Sequence, residues 1–595
     1  MNAIYKNPPI QKGAGGILNQ IFVFSRFSFL FVVFLCLFSP ERSFAAFAEN
    51  PFVDAKGIGL ANNCTAIPPG HMSAHYNPAG LSKVAEGAMF SNGLGVPFIT
   101  QTGRFKADAD WKGLLNGMWG PDAEYNPNDP TSAHGGRDPL DGKKGTNESA
   151  KMYIPFVGPI DFALAPNLGL SNRDPGSKWT FAYTNYAPYG GGLNHNDKND
   201  PLRYGVKNLY LQHLIYAGPV VSYKISDELS FGFMAGLGQT AMGLSMDART
   251  PNEMVALTRM IGDATRDLNI PVVSQQTLPP PFLGGGLGPY EDNVSIQFDV
   301  RDDFSPNFNL GFLWEPNNYF GAGLNYQSQI TSDMTGKYKI DYSEQWQRHV
   351  DWNGSTSYTL QTAGMLDIPY IGVPYQSGTV TGKQKFPQRI DFGIKVSPIN
   401  RLRLLTDLHW SNWAIDKKNK FVFDQRIQLL RVAKLLGYTG GDYALVVDRN
   451  MRDTWHWGVG MEFDVSERLT LRCGYERRPT STNPDLRDAI YFLSGDVDYY
   501  GAGLTFKAKK GITLDFAVGY LTDNGVEAVN NSSSNLNSTD FTKIISPYAG
   551  LDYEQDTTLM CIAGGITMPL AVQMELIHND IQKVKKLLYI LNPFK

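Results

Sequence analysis

The stretch Arg401-Leu402-Arg403-Leu404-Leu405-Thr406-Asp407-Leu408-His409-Trp410 places Leu402, Leu404, Thr406, Leu408 and Trp410 on one face. Arg401, Arg403, Asp407 and His409 fall on the other. A period of two is the side-chain period of a β-strand, so this is a strand with one greasy face and one polar face. Ile512 to Tyr520 repeats the pattern, with Ile512, Leu514, Phe516, Val518 and Tyr520 opposite Thr513, Asp515, Ala517 and Gly519. Further copies run through Phe308/Leu310/Phe312/Trp314, Phe320/Ala322/Leu324/Tyr326, Trp457/Val459/Met461/Phe463 and Tyr500/Ala502/Leu504/Phe506.

The connections between these segments alternate in length. Lys224 to Glu228, Glu315 to Asn318, Ser397 to Asn400 and Val465 to Arg468 are tight; Gly243 to Val294, Asp341 to Lys383 and Trp413 to Arg452 are long. Short turns at one end and long loops at the other describe a bacterial outer-membrane barrel. A soluble β-sandwich would carry loops of similar length on both rims and wet its second face. Fourteen candidate strands follow, among them 151–168 and 178–189, and an even number is what a single-chain barrel needs. The expected fold class is all-β, a transmembrane antiparallel β-barrel. Trp314, Tyr326, Trp410, Trp413, Trp457 and Tyr520 at strand ends are expected to form its interfacial girdles.

Composition excludes other classes. The 595 residues carry a formal charge of −4 with 18% charged and 12% aromatic side chains, and mean hydropathy is −0.25. Without excess clustered Lys and Arg, no nucleic-acid partner is expected. The one long apolar stretch, Phe27 to Phe38, follows Lys6, Lys12 and Arg26 and precedes Ala46-Phe47-Ala48. A polytopic helical membrane protein is therefore excluded, and residues 1–48 read as a secretory signal peptide cut after Ala48 or Ala45. Its loss removes four basic residues and one acidic one, taking the charge to about −7. Cys64, Cys473 and Cys561 then remain, an odd and widely spaced set that makes no disulfide framework.

Tyr76-Asn77-Pro78-Ala79-Gly80-Leu81 resembles the N-P-A hatch signature of the long-chain fatty acid and hydrophobic-compound transporter family of outer membranes (FadL/TodX, OMPP1 type). Phe308 to Trp314 with Gly323-Leu324-Asn325-Tyr326-Gln327-Ser328 resembles that family's paired G-x-x-Y and Y-R-S strands, with Gln327 standing where relatives carry Arg. Phe386-Pro387-Gln388-Arg389-Ile390 leading to Asp407-Leu408-His409-Trp410-Ser411-Asn412-Trp413 resembles its P-x-x…D-x-x-W-x-x-W region. Leu471-Arg472-Cys473-Gly474-Tyr475 with Pro479 resembles R-x-G-Y…P. The resemblance covers most of residues 50–525. It implies a fourteen-stranded barrel at the cell outer membrane, plugged by its N-terminal segment and passing hydrophobic molecules.

The chain then divides into a signal peptide (1–48), a hatch (49–87), a barrel with long extracellular loops (88–570) and a tail (571–595). That tail reads helical and basic, where family barrels end on a strand with a terminal aromatic. Asn77, Pro78 and Ala79 are the hatch motif. Thr250-Pro251-Asn252-Glu253 reads as a helix start with Thr250 as N-cap, and Met254, Leu257, Ile261 and Leu268 then form a candidate ligand groove. Pro188, Gly190 and Gly191 mark a candidate kink in the third strand, since proline and glycine interrupt a ladder. Arg389, Arg403 and Arg472 are candidate partners for a substrate carboxylate.

No nucleophile, base and orienter form a convincing catalytic set, so no enzyme is expected. His71 and His75 lack a third ligand, and Gly284 to Gly288 lacks the Lys and helix of a phosphate loop; neither metal nor cofactor is expected. The expected function is passive uptake of long-chain fatty acids or hydrocarbons by a monomer in outer-membrane lipid. Ligand is captured at the external loops and released past the plug. The alternatives are a general diffusion porin and a surface-binding adhesin on a barrel scaffold.

Overall fold

The computed structural model describes residues 49–107, 114, 138–271, 277–435, 438–482, 495–523, 525–528 and 547–591. The signal-peptide reading of 1–48 lies outside them. Fourteen antiparallel strands close into a barrel. They are β1 (Gly87–Ala107), β2 (Ala165–Arg173), β3 (Trp179–Asn194), β4 (Asn208–Lys224), β5 (Leu229–Ala248), β6 (Val294–Asn317) and β7 (Phe320–Gln327). The circuit continues through β8 (Arg389–Ile399), β9 (Leu402–Ser411), β10 (Thr454–Asp464), β11 (Leu469–Arg478), β12 (Val497–Lys507), β13 (Thr513–Asp523) and β14 (Leu551–Pro569). Nineteen residue pairs between β1 and β14, from Met89↔Pro569 to Ala107↔Leu551, close the ring. Closure joins the first strand to the last, which is the condition for a sheet to stand in lipid.

On the long-loop side the wall continues upward. Ile330–Tyr342 prolongs β7, Tyr375–Phe386 prolongs β8, Lys418–Phe423 prolongs β9 and Ala444–Asp448 prolongs β10. Loop helices α3 (Glu253–Ala264), α4 (Glu344–Trp352), α5 (Ser357–Leu366) and α6 (Gln428–Leu435) crown this end. Helices α1 (Ala55–Gly59) and α2 (Ser73–Tyr76) lie in the N-terminal segment, and α7 (Leu570–Leu591) follows β14 directly.

Alternation sets the facing of each strand. Leu404, Phe516 and Val518 are 39%, 54% and 46% exposed on the outer, lipid-facing side, while Asp407 and Asp515 are buried inside. Two expectations are corrected. The second strand is not 151–168 but Ala165–Arg173, because Met152–Ile154 and Gly158–Ile160 pair with each other in a separate small hairpin. Trp413 is not a girdle residue: it is 1% exposed, in phase with inward-facing Asp407 and His409, where the 3-10 turn Trp413–Ile415 begins.

Candidate functional site

Residues 49–86 fold inside the ring, and the wall is shaped to receive them. Eight strands present a glycine whose added Cβ would come closer than 3.0 Å to this segment: Gly169, Gly232, Gly311, Gly323, Gly393, Gly458, Gly474 and Gly501. The atoms met there include the backbones of Ile58, Leu60, Thr65 and Pro78 and the side chains of Asn63, His71 and Asn77. The glycine-rich second faces of the strands are therefore seats for a plug.

Amide side chains on those inner faces fasten the plug. Asn167 Nδ2 donates to the Val53 carbonyl at 2.8 Å, Asn309 Nδ2 to Ala74 at 2.8 Å and Gln327 Nε2 to His75 at 2.8 Å. From the plug side, Asn63 Nδ2 donates to the carbonyls of Val459 (3.2 Å) and Tyr475 (3.1 Å). The Thr65 amide donates to Asp407 at 2.8 Å. Local capping keeps the short helices formed: Asp54 accepts from the amides of Lys56 and Gly57, which frees α1 from needing a partner at its N-terminus.

Asn77 is fully buried and works in three directions. Its Nδ2 donates to the carbonyls of Thr65 (3.0 Å) and Phe312 (2.9 Å), and its Oδ1 accepts from the Ala79 amide (3.2 Å) as cap of the turn Pro78–Lys83. Pro78 and Ala79 press their backbone onto Gly232. Each net hydrogen bond is worth about 1 kcal/mol, so Asn77→Ala is expected to loosen the plug by about 2–3 kcal/mol while leaving the ladders intact. Hydrogen exchange at residues 64–82, compared with β6 and β7, measures this.

Glu49 and Asn50, which belong to no motif, meet the third strand. Its ladder with β4 slips between Tyr186↔Ile215 and Tyr189↔His213, leaving Ala187 and Pro188 unpaired. Its ladder with β2 ends at Asn185. Asn50 fills the break: its amide donates to the Pro188 carbonyl at 2.9 Å and its Nδ2 to Ala187 at 2.8 Å. The strand does not stop at Pro188 but resumes through Gly190 and Gly191 to Asn194, so these residues form an interior bulge.

The Glu49 carboxylate lies 3.6 Å from Arg389 and 3.9 Å from Arg478, and accepts from Ser411 at 3.0 Å. Burial pushes its pKa up, but Arg389, His456 and Arg478 overcome this and hold it below the usual range. Each arginine also has a wall carboxylate, Asp391 for Arg389 (2.5 Å) and Glu476 for Arg478 (2.8 Å). His409 bonds Asp391 at 2.7 Å. Arg403 is taken up by Glu462 and Asp464, and Arg472 by Glu462, both toward the short-turn end. Of the three candidate carboxylate partners only Arg389 therefore faces a carboxylate that is not on the wall.

Beside Glu49 the space between plug and wall shrinks to about 10 Å³, room for about one water. Above it the inner face turns apolar. Phe298, Val300, Met334, Tyr338, Ile340, Phe421 and Phe423 point inward and join Tyr189, Phe386 and Trp413 in one buried cluster. The extracellular half of the inner face is thus apolar where the plug level is charged and glycine-rich.

At the loops, Asn252 and not Thr250 caps α3, accepting from the Met254 amide at 2.8 Å. Val255, Ala256 and Gly262 are its buried face; Met254, Leu257 and Ile261 are half-buried, and Leu268, beyond the helix end, is 58% exposed. The face shifts because Gly262 packs directly on the backbone of Gly285. Gly284 and Gly286, at φ 64° and 66°, carry that backbone between α3 and α4, where Gly284 abuts the Arg348 carbonyl. The glycine run is a packing bridge. Beyond it Met365 (82%), Leu366 and Ile371 (63%) stand exposed on the external rim. His71 bonds Asn167 at 3.0 Å and His75 packs against Tyr186, so the two imidazoles have separate duties.

Residues 43–563 match the family described as outer membrane protein transport protein (OMPP1/FadL/TodX). A 47 kDa outer membrane protein of Pasteurella multocida is 22% identical over 398 residues, 62% of this chain and 80% of its own length. Among solved structures, a Pseudomonas aeruginosa FadL homologue superposes with TM-score 0.58 at 15% identity, over 89% of this chain and all but 1% of its own, covering 99%. The Pseudomonas putida toluene transporter TodX gives 0.53 at 14% identity, over 87% and 98%.

Proposed function

Because the chain belongs to the OMPP1/FadL/TodX family of outer-membrane transport proteins, we propose that it is a passive channel for long-chain fatty acids. In this reading one chain, which closes its own barrel, is the transporting unit. The fatty acid adsorbs on the apolar loop rim around Met365, Leu366 and Ile371 and enters the aromatic half of the lumen. Each buried methylene contributes about 0.8 kcal/mol, which draws the acyl chain out of water. Descent stops at Glu49. The solute leaves when Glu49 and Asn50 withdraw from β3, past the plug or sideways through the break at Ala187 and Pro188.

The observation that carries this reading is the Glu49 carboxylate held between Arg389 and Arg478 at the foot of an apolar lumen. A fatty acid carboxylate taking its place leaves the charge balance of the buried cluster unchanged. A neutral hydrocarbon would leave Arg389 and Arg478 with their wall carboxylates alone, Asp391 and Glu476. The porin reading needs an open constriction, and the space beside Glu49 holds about one water.

Glu49→Gln removes the tethered competitor while keeping its size. Purified protein is expected to bind tritiated palmitate several-fold more tightly than wild type, with toluene binding unchanged. Equal palmitate binding by both proteins would reject the exchange of carboxylates.

A further inference from the structure

The wall parts between β8 and β9 just above the lipid-facing belt. Pairing runs from Ile399↔Leu402 up to Arg389↔Ser411, with one further bond from the Asn412 amide to Gln388. It resumes only at Gly382↔Phe421 and continues to Val380↔Phe423. Between these points the strand extensions separate around a concavity of about 670 Å³ on the outer surface.

Lys383, Lys385, Lys417, Lys418 and Lys420 surround it. Lys383 pairs with Asp333 at 2.9 Å, and Asp416 is drawn inward by Arg449 at 3.2 Å. Asp448, opposite Lys418 in the ladder, forms no ion pair with it. Lys385, Lys417, Lys418 and Lys420 have no carboxylate partner among the described residues.

Depth identifies what meets these ammonium groups. The eleven residues of β8, tilted as barrel strands are, span about 25 Å, the height of the apolar band. Outward-facing Ile390 and Phe392 are 40% and 42% exposed within that band. Lys385 follows one break above them, on the long-loop side. Four unpaired cations at the headgroup level of the outer leaflet are matched by phosphate groups on lipid. We propose that this notch binds the phosphorylated headgroup of an outer-leaflet glycolipid, anchoring one lipid beside β8 and β9.

The test uses the full chain in detergent with bis-phosphorylated lipid A, read by native mass spectrometry. Wild type is expected to retain lipid A, and retention should fall with salt because exposed charges are screened. The triple variant Lys385→Gln/Lys418→Gln/Lys420→Gln should lose about tenfold or more of it. Lys337→Gln/Lys339→Gln, higher on the same face, should retain it, and heat-modifiable gel mobility reports that each barrel is folded. Phosphatase-treated lipid A should not be held, and millimolar inorganic phosphate should not displace the intact lipid. The proposal is overturned if the triple variant retains lipid A as wild type does, or if the upper pair loses it equally. It is overturned too if dephosphorylated lipid binds as well, or if inorganic phosphate displaces lipid A.

Discussion

Deleting residues 50–75 is expected to turn a closed barrel into a conducting pore, raising single-channel ion conductance by more than an order of magnitude. The segment removed contains α1, three of the four residues of α2 and most of the backbone that sits on the wall glycines. Nothing else among the described residues fills that level of the lumen, where Asp391, Asp407, Asp515, Arg389 and Glu476 face inward. Porins with a few more strands carry an aqueous channel, and eight-stranded barrels are filled by their own side chains. A fourteen-stranded ring without its plug falls near the porins and would wet. The barrel itself should persist, since its ladders and outer apolar face do not involve the plug. Planar-bilayer conductance and liposome swelling in sugar measure the gain; an unchanged, closed barrel would mean the external loops are the true barrier.

The second large effect is expected from side chains added at two wall glycines. At Gly474 an added Cβ meets the carbonyl of Leu60, and at Gly501 it meets that of Ile58, each closer than 3.0 Å. These are backbone atoms and cannot swing aside as a side-chain end does. Overpacking costs about 1–3 kcal/mol per site, so Gly474→Val/Gly501→Val should lift α1 off the wall. Residues 55–66 should then exchange amide hydrogens and be cut by protease at least tenfold faster (the lower bound set by about 1.4 kcal/mol). Gly564→Val is the control, because its Cβ finds no neighbour nearer than 3.9 Å. If both variants behave alike, close seating is not what holds the plug.

How much of this was legible in the sequence depended on where alternation alone decides. The outer faces of β9 and β13 could be read at once, because lipid demands apolar side chains at every second position and Leu404, Phe516 and Val518 supply them. The inner faces have two partners that a single strand does not name. Glycines at 232, 311, 323, 474 and 501 resemble channel lining until the plug backbone is laid on them. Inward Phe421 and Phe423 lie on a strand extension that a long loop conceals, and Phe298 lies near the loop end of β6. Trp413 stands at an odd position, so the β9 alternation itself puts it on the inner face with Asp407 and His409, and only its residue type suggested a girdle. Arg403 and Arg472 were plausible anchors only while Glu462, ten residues before Arg472, was not known to lie across the ladder from both. Glu49 carried no motif, yet the alternating Glu476 and Arg478, with Asp391 and His409 on neighbouring strands, marked an inner charge cluster that a closer reading of second faces would have found.

The central claim is that the intact chain passes an apolar solute through a barrel closed to water. It is tested most directly by recording ion current and labelled palmitate transfer together across one bilayer containing the full-length protein. The account predicts palmitate transfer above the protein-free rate with no steady ion conductance. A steady ohmic current through the intact protein, with palmitate crossing no faster than in its absence, would contradict it and make the barrel a porin.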